Sequence, residues 1–166
     1  MILHVREFLN SIVTSRLDFQ NSLPLGLPEC EISRLQKAQN TAARLLTRTK
    51  RRDHITPILK QLHWLPVRLR IEYKALLLTH NSIHQESSPS YLREFLSLRE
   101  PGRRLRSSTD PWLLAIPQSL GSYGDRSFCA LAPRLWNSLP VSLRSLTVTP
   151  AFKKLHLKTF LFMKYF

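Results

Sequence analysis

Four glycines, two cysteines and eleven aspartates and glutamates are all that 166 positions hold of four residue types that chemistry often requires. So little glycine leaves no phosphate-cradling Gly-rich loop to assemble. Cys30 and Cys129 provide neither a disulfide framework nor a Cys-x-x-Cys redox or zinc spacing. Reduced thiols are expected, with Cys30 exposed between Glu29 and Glu31 and Cys129 in the core behind Phe128. No two carboxylates adjoin, and Asp18, Asp53, Asp110 and Asp125 stand alone. Ser107, Ser108 and Ser127 lack a Gly-x-Ser-x-Gly setting, so nucleophilic catalysis has no support. No stretch approaches the ~18 uncharged apolar residues of a membrane span. Met1-Ile-Leu-His-Val meets Arg6 and Glu7 too early for a signal peptide. The expectation is an intracellular chain, neither secreted nor membrane-bound, with nucleus and cytoplasm both open.

What is abundant is positive charge. Lysine and arginine number 25, for a formal net charge of +14. Such an excess implies an anionic partner, with nucleic acid the first candidate and no small-molecule substrate or cofactor suggested. The competing reading is that an absent neighbouring domain neutralises the charge. Three clusters carry it. Arg44, Arg48, Lys50, Arg51 and Arg52 form one; Arg68, Arg70 and Lys74 decorate a helix; Arg103, Arg104 and Arg106 fall in a loop. Arginines so arranged would grip phosphates without reading sequence, although charge runs also serve plain solubility.

Hydrophobic content of 43% supports a globular chain, and a chain of this length can bury about 70% of its unfolded surface. Apolar spacing predicts a mostly α fold: an irregular bundle of about six to eight helices, a Pro/Gly-punctuated loop region and at most a short strand pair. A first helix is expected over 2–17. A second opens at Pro28-Glu29 and runs to about Leu46, with Ile32, Leu35, Ala38, Ala42 and Leu45 as its stripe. Thr56-Pro57 reads as a cap and start for a short helix to Leu62. Leu65-Pro66 repeats the device for a long helix to about Ile83, on which Val67, Ile71, Ala75 and Leu78 align. A short helix follows over 90–96, then loop over 97–124, in which 113–116 could be extended. Asp125–Ala132 reads as helical with Pro133 kinking or restarting it, and Thr149-Pro150 caps a last helix to about Met163. One compact unit is expected from a helical region 1–96, a connector 97–124 and a C-terminal segment 125–166.

Metal and stacking chemistry have weaker support. His80 and His84 stand at i, i+4 with only Glu86 nearby, so exposed helix surface is the simpler expectation. His54 suits a turn and His63 a packed ring beside Trp64. Trp64 and Trp136 read as core anchors. Trp64, Trp136 and Tyr91 could stack on bases, but Trp112, after a proline in the loop region, is the one aromatic expected to be exposed.

The 21 residues His54–Lys74, with the run Arg34–Leu46, resemble the region after the palm in reverse transcriptases of LINE-type, jockey-like retrotransposons. Val13-Thr-Ser-Arg-Leu-Asp18, Asn21-Ser-Leu23 and Gly26-Leu-Pro28 resemble the family's upstream segment. Leu105-Arg-Ser-Ser108, Gly124-Asp-Arg-Ser-Phe128 and Ala132–Pro140 resemble its downstream one. The pattern departs at Phe19-Gln20, where the family usually carries Tyr-Cys, and at Pro24. The resemblance implies a thumb-side piece that grips element RNA and target DNA and packs on the remainder of a reverse transcriptase. It also implies that the aromatic-x-Asp-Asp hairpin holding two Mg²⁺ ions lies outside this sequence, so no catalysis is expected. A helical protein-interaction module, or a decayed reading frame without selected function, is the alternative.

Overall fold

The computed structural model describes residues 11–12, 15–19, 25–84, 88–99, 110–118, 121, 124–147 and 156–166. The expected first helix lies partly outside these residues; the Arg103, Arg104 and Arg106 cluster and the Thr149-Pro150 start lie wholly outside them. The described residues form α1 (Glu29–Thr47), α2 (Ile55–Gln61), α3 (Val67–His84) and α4 (Ser90–Glu94). A 3₁₀ turn (Gly124–Arg126), α5 (Phe128–Asn137), α6 (Val141–Arg144) and α7 (Lys158–Tyr165) complete them. Ser11–Ile12 and 15–18 are also helical. The fold is a mostly α, irregular bundle. Extended pairing among the described residues is a single antiparallel bridge between Leu98 and Leu114. It is backed by hydrogen bonds from the Arg99 amide to the Leu113 carbonyl and from the Ala115 amide to the Ser97 carbonyl.

Helix α1 carries Glu29 and Glu31 in its first turn and Arg44 in its last, each placed favourably on the helix dipole. Its buried face is Ile32, Gln39 and Ala43. The expected stripe is therefore rotated: Leu35 and Ala38 are exposed, and so is Leu45, at 66%. The physical reason is Gln39, which is fully buried because its amide has a dedicated partner. Its Nε2 donates to the Leu65 carbonyl at 2.9 Å, and Gln36 Oε1 accepts the Val67 amide at 2.9 Å. Gln36 Nε2 also donates to Gln39 Oε1, which locks the two amides together. Two glutamines of α1 thus satisfy backbone groups at the start of α3, a region where Pro66 has no amide to offer.

Two left-handed residues set the stops. Arg48 (φ 54°) closes α1, with the Arg48 and Thr49 amides both donating to the Arg44 carbonyl. His63 (φ 54°) closes α2 in a Schellman pattern: its amide donates to the Lys60 carbonyl, and the Trp64 amide to Leu59. His63 is exposed on one side, and its ring lies against Phe162 with centroids 5.8 Å apart, a packing ring as expected although its partner is Phe162. The start of α2 also differs from expectation. His54, in extended conformation, is its N-cap, and Thr56 and Pro57 already lie within the first turn.

The main core gathers Leu65, Leu69, Leu76 and Leu77 from the α3 side with Leu114, Trp136, Leu139, Leu143, Leu157 and Leu161. Smaller clusters hold Ala43, Ile58, Leu59 and Trp64, and Ile32, Val67 and Ile71. Trp64 and Trp136 are core anchors, as their apolar flanks predict. Cys30 is exposed, whereas Cys129 is half-buried and not full core. Pro133 is buried inside α5, which continues through it to Asn137. Gly26 (φ 86°) lies against the 3₁₀ turn, where an added Cβ would sit 2.6 Å from the Arg126 carbonyl oxygen. No helix of the described residues is long and apolar enough to cross a membrane.

Candidate nucleic-acid interface

The turn between α1 and α2 gathers a dense cationic surface. Arg48, Lys50, Arg51 and Arg52 are all exposed, and none has an acidic side chain at ion-pair distance among the described residues. The turn is braced from within. Arg44 Nη1 donates to the Lys50 carbonyl and to the Asp53 carbonyl, each at 3.0 Å. The Lys50 amide donates to Asp53 Oδ2 at 3.0 Å, and the Asp53 amide returns to the Lys50 carbonyl. The backbone is tied down while four cationic side chains face water. That arrangement suits a polyanion, because little backbone entropy remains to be lost on contact.

In the second predicted cluster, Arg68 and Arg70 make ion pairs within the fold. Arg68 pairs with Glu29 at 2.7 Å and Glu72 at 3.6 Å. Arg70, with its side chain only 13% exposed, pairs with Asp18 at 2.8 Å and donates Nε to the Leu65 carbonyl. These two arginines tie helical segments together, Arg70 from a largely covered position and Arg68 from one that stays 62% exposed. Lys74 is exposed and unpaired among the described residues. Arg44 is likewise a brace and not a bare surface charge. Of the predicted cations among the described residues, Arg48, Lys50, Arg51, Arg52, Arg68 and Lys74 are exposed, Arg68 within ion pairs and the other five without them.

Sequence reasoning missed a buried polar hub. Arg144 and Asp110 form an ion pair at 2.5 Å, with side chains 7% and 12% exposed. Arg144 Nε donates to the same carboxylate at 2.8 Å, and its Nη1 donates to the Asn137 carbonyl and to that of Leu139. Asp110 also accepts the Trp112 amide at 3.0 Å, an Asx turn that Asp-Pro-Trp makes locally legible. Asn137 holds the extended strip, accepting the Leu114 amide and donating to the Leu114 carbonyl, both at 2.9 Å. Trp136 Nε1 donates to the Trp112 carbonyl at 2.7 Å. The Leu-Trp-Asn run thus stitches residues 110–118 onto α5.

His80 and His84 belong to this hub, which overturns the expectation of exposed helix surface. His80 is fully buried, its Nε2 donating to the Leu146 carbonyl at 2.7 Å. Burial pushes its pKa below the ordinary histidine value, and the bonds to Leu146 and Asn81 oppose the shift without reversing it. The His84 ring lies tilted against two neighbours, its centroid 4.4 Å from that of Trp112 and 4.7 Å from that of His80. Desolvation lowers its pKa first and the neighbouring His80 second, against a hydrogen bond to the Arg144 backbone. Burial thus favours the neutral form of both imidazoles packed here. Trp112 is half-buried on His84, and the exposed aromatics among the described residues are instead Phe19, Tyr91, Phe95 and Tyr165. Among the described residues no group of three or more His, Cys, Asp or Glu side chains is placed to hold a metal ion.

No family model, no curated protein and no solved structure matches the chain.

Proposed function

We propose that this chain is a non-catalytic, nucleic-acid-backbone-binding piece of a LINE-type reverse transcriptase, one that also packs on the polymerase body. The observation that carries the binding half is the braced turn holding Arg48, Lys50, Arg51 and Arg52 exposed without acidic partners. The family assignment rests on the ordered sequence resemblance described above. Element RNA and target DNA are its ligands, held through phosphate and not through base edges. Filter binding tests the backbone reading with three probes of one sequence: RNA, duplex DNA and a neutral-backbone peptide nucleic acid. Retention of both charged probes and loss of the neutral one is the expected result. Equal retention of all three, or of none, contradicts it.

A packing role has its own support. Leu35 and Leu45 on α1, Val141 on α6 and Met163 on α7 are large apolar side chains exposed to water. On this reading they meet the missing polymerase domain. An isolated chain that elutes as a monomer across concentration would speak against such a face.

A further inference from the structure

We infer that the turn after α1 is a preformed phosphate clamp in which Arg44 is the positioning residue and Arg48, Lys50, Arg51 and Arg52 are the contacting ones. This deepens the nucleic-acid reading and rests on it. Arg48 adopts φ 54°, which reverses the chain directly after α1. The next carbonyls would point into solvent without a fixed direction, yet those of Lys50 and Asp53 both accept from a single nitrogen, Arg44 Nη1. Asp53 closes the opposite side by accepting the Lys50 amide. Its carboxylate, the one acidic side chain within the turn, is thereby engaged with backbone.

Arg44 and Arg51 look alike in sequence but differ in what they do. Arg44 is half-buried and directed inward at two carbonyls; Arg51 and Arg52 are exposed and have no side-chain partner among the described residues. Removing Arg44 should therefore loosen the clamp without removing a phosphate contact. Removing Arg51 and Arg52 should remove contacts from a turn that stays ordered. The two effects separate in salt titrations, because the slope of log K against log salt counts phosphate contacts at about −0.9 each on duplex DNA.

The test uses the full chain and a fluorescein-labelled DNA duplex of mixed sequence, with anisotropy read across salt. Four contacts give a slope of about −3.6. Arg44→Gln is expected to weaken binding roughly tenfold with that slope retained, since ordering must now be supplied on binding. Arg51→Ala with Arg52→Ala is expected to bring the slope to about −1.8. Amide hydrogen exchange supplies a second readout that does not need DNA: Arg44→Gln should speed exchange at Lys50 and Asp53, and the double alanine variant should not. A slope that drops by about 0.9 in Arg44→Gln makes Arg44 a contact and overturns its assignment. Unchanged affinity and unchanged exchange in that variant overturn the brace alone. Absence of binding by the wild-type chain overturns the nucleic-acid reading and the clamp with it.

Discussion

Replacing Arg144 with methionine removes the centre of the buried hub while keeping a long unbranched side chain in place. The guanidinium lies on the Asp110 carboxylate and on the carbonyls of Asn137 and Leu139. With side-chain exposures of 7% and 12%, this pair belongs to the buried class. Breaking a buried pair from one side costs about 3–5 kcal/mol, against about 0–1 for an exposed one. A loss of that size is a large share of the roughly 5–15 kcal/mol that holds a domain folded. At about 2–4 °C per kcal/mol for a chain of this length, the melting temperature should fall by about 6–20 °C. Urea unfolding followed by tryptophan fluorescence reads the change, since Trp112 and Trp136 both sit in the hub. Asp110→Asn is the companion variant, because asparagine keeps an acceptor for the Trp112 amide and deletes the charge. In Arg144→Met alone an uncompensated carboxylate stays buried; in the double variant it does not. The double variant should therefore cost less than the sum of the two singles, by about 0.5–3 kcal/mol. A loss below about 1 kcal/mol for Arg144→Met, or strict additivity, would refute the reasoning.

Other perturbations follow from the same geometry. Gly26→Ala places a Cβ 2.6 Å from the Arg126 carbonyl oxygen at φ 86°, so thermal unfolding should show a loss of about 2–5 kcal/mol. Gln39→Leu keeps the volume but withdraws the donor from the Leu65 carbonyl, and the same assay should show about 1–3 kcal/mol lost. Burial lowers the pKa of His80 in the folded state, so the unfolded chain binds its proton first. Stability is thus fully present above the unfolded value of about 6.5 and falls as pH drops below it, by up to about 1.4 kcal/mol per pH unit, until the lowered folded pKa is reached. Urea midpoints measured between neutral and mildly acidic pH check this, and His80→Gln should flatten the profile.

Helix starts and lengths were legible wherever local chemistry decides them. Pro28 before Glu29, Pro66 before Val67 and Pro89 before Ser90 each precede a helix within a residue of the expected place. Facing was legible only where apolar residues alone set it. Val67, Ile71 and Ala75 are buried on α3 as their spacing predicts. On α1 the same rule failed, because a glutamine with a partner 26 residues away outcompeted two leucines for the inner face. The arginines show the same limit. Arg44, Arg51, Arg68 and Arg70 are equivalent in composition and charge pattern. What separates them is distant: Glu29 for Arg68, Asp18 for Arg70, and two carbonyls beyond a left-handed residue for Arg44. His80 and His84 satisfied a helical spacing that fits exposed and buried faces alike. Trp112 and Trp136, which cover them, arrive from elements that only the fold brings near.

The most direct test of the central claim is the salt dependence of duplex binding by the unaltered chain. Between about 50 and 200 mM salt, four phosphate contacts predict a slope near −3.6 in log K against log salt, or roughly a hundredfold weakening. A flat dependence would contradict the account.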